Sequence, residues 1–159
     1  LKIKNLRDRY KLSKKLQKNF RKISSNEINA LGSINTRSDI SALFKNDLWE
    51  QKAMKSIDFA VQNLSIIKNF LDKKNVGFLV VIFPWPYEIV NLEERENYIN
   101  YITPKLKESD IDFVSAYEHF LNGNPYLTIT ENYIYNDIHF NDNGNKLLSD
   151  IIWSKIANN

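Results

Sequence analysis

Residues 75–86 read Asn75-Val76-Gly77-Phe78-Leu79-Val80-Val81-Ile82-Phe83-Pro84-Trp85-Pro86: a turn, an unbroken apolar run and a proline-flanked stop. A strand with one wet face alternates, because successive side chains point to opposite sides of the sheet. This run does not alternate. Continuous β-branched and aromatic residues are what a strand buried on both faces requires, and such strands belong to parallel sheets covered by helices. Pro84 and Pro86 cannot donate to a ladder and so end the strand.

The segments on either side have the matching character. From Trp49 to Lys74, apolar residues recur at Ile57, Val61, Leu64, Ile67 or Phe70 and Leu71, which predicts one long helix with Lys, Gln and Asn on its outer face. Residues 92–108 predict a second helix, charged at Glu93, Glu94, Arg95 and Glu96, with Tyr98, Ile99, Ile102 and Leu106 inward and a break at Pro104. Ile111-Asp112-Phe113-Val114 then reads as a short strand. Ala116 to Leu121 reads as a short helix ended by Asn122-Gly123-Asn124-Pro125. Residues 126–140 read as irregular. Asn141 or Asp142 caps a closing helix whose Leu147, Leu148, Ile151, Ile152 and Ile156 share a face. Helix, buried strand, helix, strand, helix is the order of an α/β fold with a parallel sheet between helix layers, a three-layer αβα arrangement. Only two strands are convincing, and two parallel strands bury little by themselves. The expectation is therefore a piece of a larger sheet whose N-terminal strands are missing.

Length and composition limit the alternatives. A chain of 159 residues suits one domain or part of one, and 43% hydrophobic with 26% charged residues is ordinary for a folded protein. The absence of cysteine excludes disulfides, a thiolate nucleophile and cysteine-ligated metals. Two distant histidines with scattered acids make no metal site, and no cofactor is expected. The longest apolar run is too short to span a bilayer, so no transmembrane segment is expected. Charge is uneven, since residues 1–22 hold ten Lys or Arg against the single acid Asp8. Residues 1–44 thus read as a basic amphipathic helix and loop, and residues 45–159 as the α/β portion. A solvated helix face with an apolar stripe at Leu6, Tyr10, Leu16 and Phe20 explains the basic stretch, as does contact with an anionic partner. No nucleic-acid motif accompanies it, and no nucleic-acid partner is expected.

Chemistry concentrates in Tyr133-Ile134-Tyr135-Asn136-Asp137-Ile138-His139-Phe140-Asn141-Asp142-Asn143-Gly144-Asn145. In an extended loop Asp137 and His139 project to the same side, so that the carboxylate can accept a proton from one imidazole nitrogen. The other nitrogen is then free to act as general base toward a hydroxyl nucleophile. The plainer reading makes Asp137 a turn former and His139 a surface residue beside a helix. His119, in Tyr117-Glu118-His119-Phe120, reads as a surface or cap residue. Trp85 stands at the C-terminal end of a central strand, where α/β sheets place ligands; it lines an acyl or sugar pocket or packs between its prolines. Tyr126, Tyr133 and Tyr135 equally suit core or pocket rim.

The string Asp137-Ile138-His139-Phe140-Asn141-x-x-Gly144-Asn145 ahead of an amphipathic helix resembles the last block of the SGNH/GDSL hydrolases, in which the triad's Asp and His precede the final helix. The Pro84-Trp85-Pro86 turn after a buried strand also looks like members of that superfamily. By order of elements the resemblance covers about residues 45–158, and only the terminal block is specific. It implies a flavodoxin-like SGNH fold and an ester hydrolase or O-acyltransferase acting on a small acyl ester or acylated glycan. It also implies a serine nucleophile that passes its proton to His139, oriented by Asp137, and an oxyanion hole. The commoner family spacing is Asp-x-x-His, and Asn136 occupies that position here; the shorter spacing matches a variant in members that modify sugar O-acetyl groups. No Gly-Asp-Ser occurs among the twelve serines, and the family's oxyanion blocks are not visible. Ser115, after Val114, comes nearest and reads as structural. The serine is therefore expected outside this chain, with Trp85 as a substrate contact. The competing expectation is a non-catalytic α/β binding module whose basic N-terminal helix contacts an anionic partner.

Overall fold

Both expected strands form in the computed structural model, which describes residues 49–90 and 95–158. The helix and loop expected within residues 1–44 lie outside the described residues. Strands β1 (Leu79–Ile82) and β2 (Asp112–Ser115) pair in parallel, with Leu79 opposite Asp112 and Ile82 opposite Ser115. A five-residue π-helix, Trp49–Ala53, leads into α1 (Met54–Asp72), which precedes β1. Next come α2 (Pro86–Val90) and α3 (Arg95–Glu108). After β2 the chain forms α4 (Tyr117–Leu121), α5 (Pro125–Asn132) and α6 (Asp142–Ala157).

The helix-to-strand turns before β1 and β2 are built alike. After α1, Asn75 takes φ 55°, its N–H reaches Asp72 O at 3.0 Å and the Val76 N–H reaches Leu71 O at 3.1 Å. After α3, Asp110 takes φ 52°, with its N–H on Lys107 O at 3.1 Å and the Ile111 N–H on Leu106 O at 2.9 Å. Each is a Schellman close, in which a left-handed residue satisfies the last carbonyls of a helix and reverses the chain. Asn and Asp tolerate that conformation better than other side-chain-bearing residues. The reversal falls on Asn75, and the neighbouring Gly77 is not needed for it.

Within β1 only Ile82 is buried, and Leu79, Val80 and Val81 are half-buried, short of the two covered faces expected; residues of the strands and the one after β1 feed two cores. Val80, Ile82 and Phe113 pack with Ile57 and Val61 of α1 and with Ile102 and Leu106 of α3. Val114 and Phe83 pack with Phe120 of α4, Ile129 of α5 and Ile151 of α6. The described residues are thus mixed α/β and mostly helical, around a parallel sheet of two strands. The wider three-layer sheet expected from the order of elements is not completed by these residues.

Three local expectations need correction. Pro104 does not break α3, which runs through it to Glu108. The ring costs a hydrogen bond to the carbonyl of Asn100, and both residues are exposed, so water can satisfy that oxygen. Residues 126–140 are not irregular throughout, because Pro125–Asn132 is helical. Asn124 Oδ1 accepts from the N–H groups of Tyr126 at 2.9 Å and Leu127 at 3.3 Å, and Pro125 occupies the first helical position. A segment read as a stop is thus a start. Ile156 is exposed rather than sharing the buried face of Ile151, and Ile67 and Phe70 of α1 are likewise exposed rather than turned inward. Among the described residues no helix is long and apolar enough to cross a membrane.

Candidate functional site

The loop between α5 and α6 is closed at its base and pressed onto the C-terminal end of β1. Tyr133 and Phe140 form an antiparallel bridge, flanked by Asn141 N–H to Asn132 O at 3.0 Å and Ile134 N–H to His139 O at 3.0 Å. Phe140 packs on Phe83 with centroids 5.0 Å apart, on Phe120 at 5.0 Å and on Tyr133 at 4.7 Å. Asn141 fixes the other limb: its Oδ1 accepts from Gly144 N–H at 3.1 Å while Nδ2 donates to Glu131 O at 3.0 Å. Gly144 is required here, since a Cβ would stand 2.1 Å from Asn132 O and 2.7 Å from the Phe140 ring. The residues that gave the sequence its specific block are therefore the ones that seat the loop.

At the tip, Asp137 and His139 meet. His139 Nδ1 lies 2.6 Å from Asp137 Oδ1. The same oxygen accepts from the backbone N–H of Ile138 at 2.6 Å and of His139 at 3.2 Å. The pair is brought together by a turn rather than by extended backbone: Asn136 sits at φ 60° and Asp137 N–H reaches Ile134 O at 3.0 Å. Both plain and functional readings of Asp137 describe one geometry, because the carboxylate that shapes the turn also holds the imidazole. Its hydrogen bond with His139 keeps the Asp137 carboxyl below the usual carboxylate range, helped by the two backbone donors. With Nδ1–H donated to Asp137, the free acceptor is Nε2, to which no described residue hydrogen-bonds. The side chains are 74% and 41% exposed for His139 and Asp137, so Nε2 is reachable from solvent.

Trp85 comes to the same place. It packs on Tyr87, against which Ile138, the residue between the two site residues, also packs. The indole is half-buried. Ser115 ends β2, and its Oγ accepts from Tyr117 N–H at 3.4 Å, a local turn contact. His119 is an exposed residue of α4. Among the described residues no group of three His, Cys, Asp or Glu could hold a metal ion. Grooves of about 270 Å³, beside Asp58 and Lys105, and about 570 Å³, beside Lys68, Phe78 and Asp110, have no site residue in their walls. The larger one lies at the opposite, N-terminal end of the strands.

Sequence reasoning passed over Glu88. It is 2% exposed, inside the run Pro86-Tyr87-Glu88-Ile89-Val90. Its Oε2 accepts from the backbone N–H of Trp85 at 2.8 Å and its Oε1 from the Tyr117 hydroxyl at 2.5 Å. Burial pushes this carboxyl up to about 7, against the two hydrogen bonds that favour its charge. The signal was present in the chain, since Pro at the first helical position with Glu two residues later is a helix N-terminus whose acid reaches back to the cap.

Compared with models of known families, with curated proteins and with solved structures, the chain matches none.

Proposed function

We propose that this chain carries the acid–base half of a Ser-His-Asp site of the SGNH/GDSL type, in an ester hydrolase or O-acyltransferase whose serine lies outside these 159 residues. The observation that carries the reading is the 2.6 Å contact of Asp137 Oδ1 with His139 Nδ1, with Nε2 unengaged among the described residues. Its position adds support, because open parallel sheets bind ligands beyond the carboxyl ends of their strands. The reading includes a three-layer αβα, flavodoxin-like sheet completed by strands beyond the two described.

In this mechanism the serine hydroxyl attacks the ester carbonyl while His139 Nε2 takes its proton. The imidazolium, facing the Asp137 carboxylate, returns that proton to the departing alcohol as the tetrahedral adduct collapses to an acyl-serine. Water or a sugar hydroxyl, deprotonated in turn by Nε2, then takes the acyl group, and that proton passes to the departing serine oxygen. Trp85 offers an apolar wall for the acyl group or a face for a sugar ring.

The test uses the protein extended upstream into its own coding region and a fluorophosphonate that labels activated serines. Labelling should appear in the extended protein, fall at least about a hundredfold with His139→Ala and fall less with Asp137→Asn. The 159-residue chain should hydrolyse p-nitrophenyl acetate no faster than its own His139→Ala variant. Labelling indifferent to His139, or turnover by the short chain that His139→Ala abolishes, would sink the proposal as stated.

A second reading rests on the charge of residues 1–22, about +9 by formal count. It makes the chain a binding module for an anionic partner, and its mark is affinity for heparin or anionic vesicles that falls steeply between 50 and 300 mM salt, about tenfold or more.

A further inference from the structure

The loop that holds His139 is not fastened to the sheet directly at its tip. Ile138 rests on Tyr87, just past the turn between β1 and α2, and Trp85 of that turn packs on the same tyrosine. That turn is fastened in two ways. Tyr133, at the base of the His139 loop, donates its hydroxyl to Pro84 O at 2.6 Å. Glu88 accepts from Trp85 N–H through one carboxyl oxygen and from the Tyr117 hydroxyl of α4 through the other. A nearly inaccessible carboxyl therefore stands at the junction of β1, α2 and α4, with the site loop packed on Tyr87, its neighbour in the chain.

The groups around this carboxyl are specific. Tyr117 faces it from α4, and Tyr98 of α3 and Tyr133 from the loop base are close enough to feel its charge. Burial first, and the Glu88 charge second, raise the hydroxyls of all three tyrosines, so all remain neutral donors near neutral pH. Among the described residues no Lys, Arg or His pairs with Glu88. Two donors aimed at two oxygens fit the ionised carboxylate, an acceptor only. A proton arriving on Oε1 makes the carboxyl the donor to Tyr117 and leaves the tyrosine hydroxyl without its acceptor. A proton on Oε2 weakens the bond from Trp85 N–H. Either way the Trp85–Glu88 segment, whose Tyr87 carries Ile138, must readjust, because a buried polar group left unmatched costs about 1 to 3 kcal/mol.

We propose that Glu88 is a positioning residue for the Asp137–His139 pair: its carboxyl ties the Trp85 turn to Tyr117, and gain or loss of its proton shifts the turn and the site loop together. The inference rests on the proposed function for the meaning of the pair, but its test requires no serine and no turnover.

Trp85 is its own reporter in the 159-residue chain once Trp49 and Trp153 are replaced by Phe. Emission should change with a midpoint near pH 7. To separate the imidazole from the carboxyl, the same titration is run with His139→Gln, where the transition should persist. Glu88→Gln, which keeps shape and removes the titration, should flatten it. Tyr117→Phe deletes a bond to the ionised form and should move the midpoint up by about one pH unit. In the chain that retains His139, the ring Cε1–H resonance, assigned against His119→Gln, should move at the Trp85 midpoint and lose that movement in Glu88→Gln. Emission that stays flat in the His139→Gln background, or a His139 resonance indifferent to Glu88→Gln, overturns the proposal. Should Glu88→Gln fail to fold, the Tyr117→Phe titration decides: a midpoint unmoved overturns it, and an upward shift upholds it. A loop coupled to Glu88 in a protein that no fluorophosphonate labels would leave the coupling standing and remove the hydrolase.

Discussion

Glu88 sets up a measurable conflict between stability and site geometry. Its carboxyl is raised from an ordinary 4.5 to about 7 in the folded chain, with burial as the main cause. Between those values the folded state holds a proton that the unfolded state has released, so stability falls as pH rises through that window. The penalty is absent below pH 4.5 and complete above about 7, and amounts to about 3 kcal/mol. Urea midpoints at pH 5 and pH 8 test this. Glu88→Gln should be the more stable protein at pH 8 and lose that advantage at pH 5, so that the wild-type-minus-variant difference changes by about 3 kcal/mol. A difference constant with pH would mean that Glu88 carries the same charge in both states. At this scale Asp137 and His139 were legible because a short local spacing encodes their meeting. The capping role of Glu88 was equally local, but its burial and its bond to Tyr117, 29 positions away, were not.

The helices follow the same division between local and distant causes. Both long helices before the strands were legible from their apolar period, and α6 from Asn141 and the stripe behind it. Helix α5 was missed because Tyr126, Thr128, Ile129 and Thr130 are poor helix formers, while its start depends on one side chain, Asn124, already assigned to ending α4. Pro104 misled in the other direction, since the rule against interior proline ignores the support that the Ile102 and Leu106 core gives α3. That support implies a cost still being borne. Pro104→Ala restores a donor facing Asn100 O and should stabilise the chain by about 1 to 2 kcal/mol, the helical gain exceeding what proline contributes by stiffening the unfolded chain. A thermal melt of the two proteins reads the difference. A lower midpoint for the alanine variant would mean that the proline ring makes a packing contact worth more than the missing bond.

Across the whole molecule, the described residues form a parallel sheet of two strands, each paired on one side only, and a long helix that is apolar on two faces. Ile57 and Val61 of α1 turn inward, while Phe59, Ile66 and Phe70 stand 66%, 65% and 59% exposed. The spacings of seven and four place these three on one stripe, nearly opposite the buried one. A helix apolar on both sides is ordinarily buried on both, and an open strand edge invites pairing. The apolar run at 78–83 already implied this, since it reads as a strand covered on both faces and flanked on both edges. Sequence could not say which residues would do the covering, because that depends on contacts and not on period. The physical consequence is association. The 159-residue chain should bind anilinonaphthalene sulfonate and self-associate in sedimentation runs at tens of micromolar, as exposed apolar patches of this kind do. Replacing Phe59, Ile66 and Phe70 together by Gln should abolish both while leaving helical circular dichroism and the melting midpoint nearly unchanged, because no inward contact is lost. A triple variant that melts well below the parent would instead place that stripe inside the chain's own core, and the open face of α1 would have to be given up.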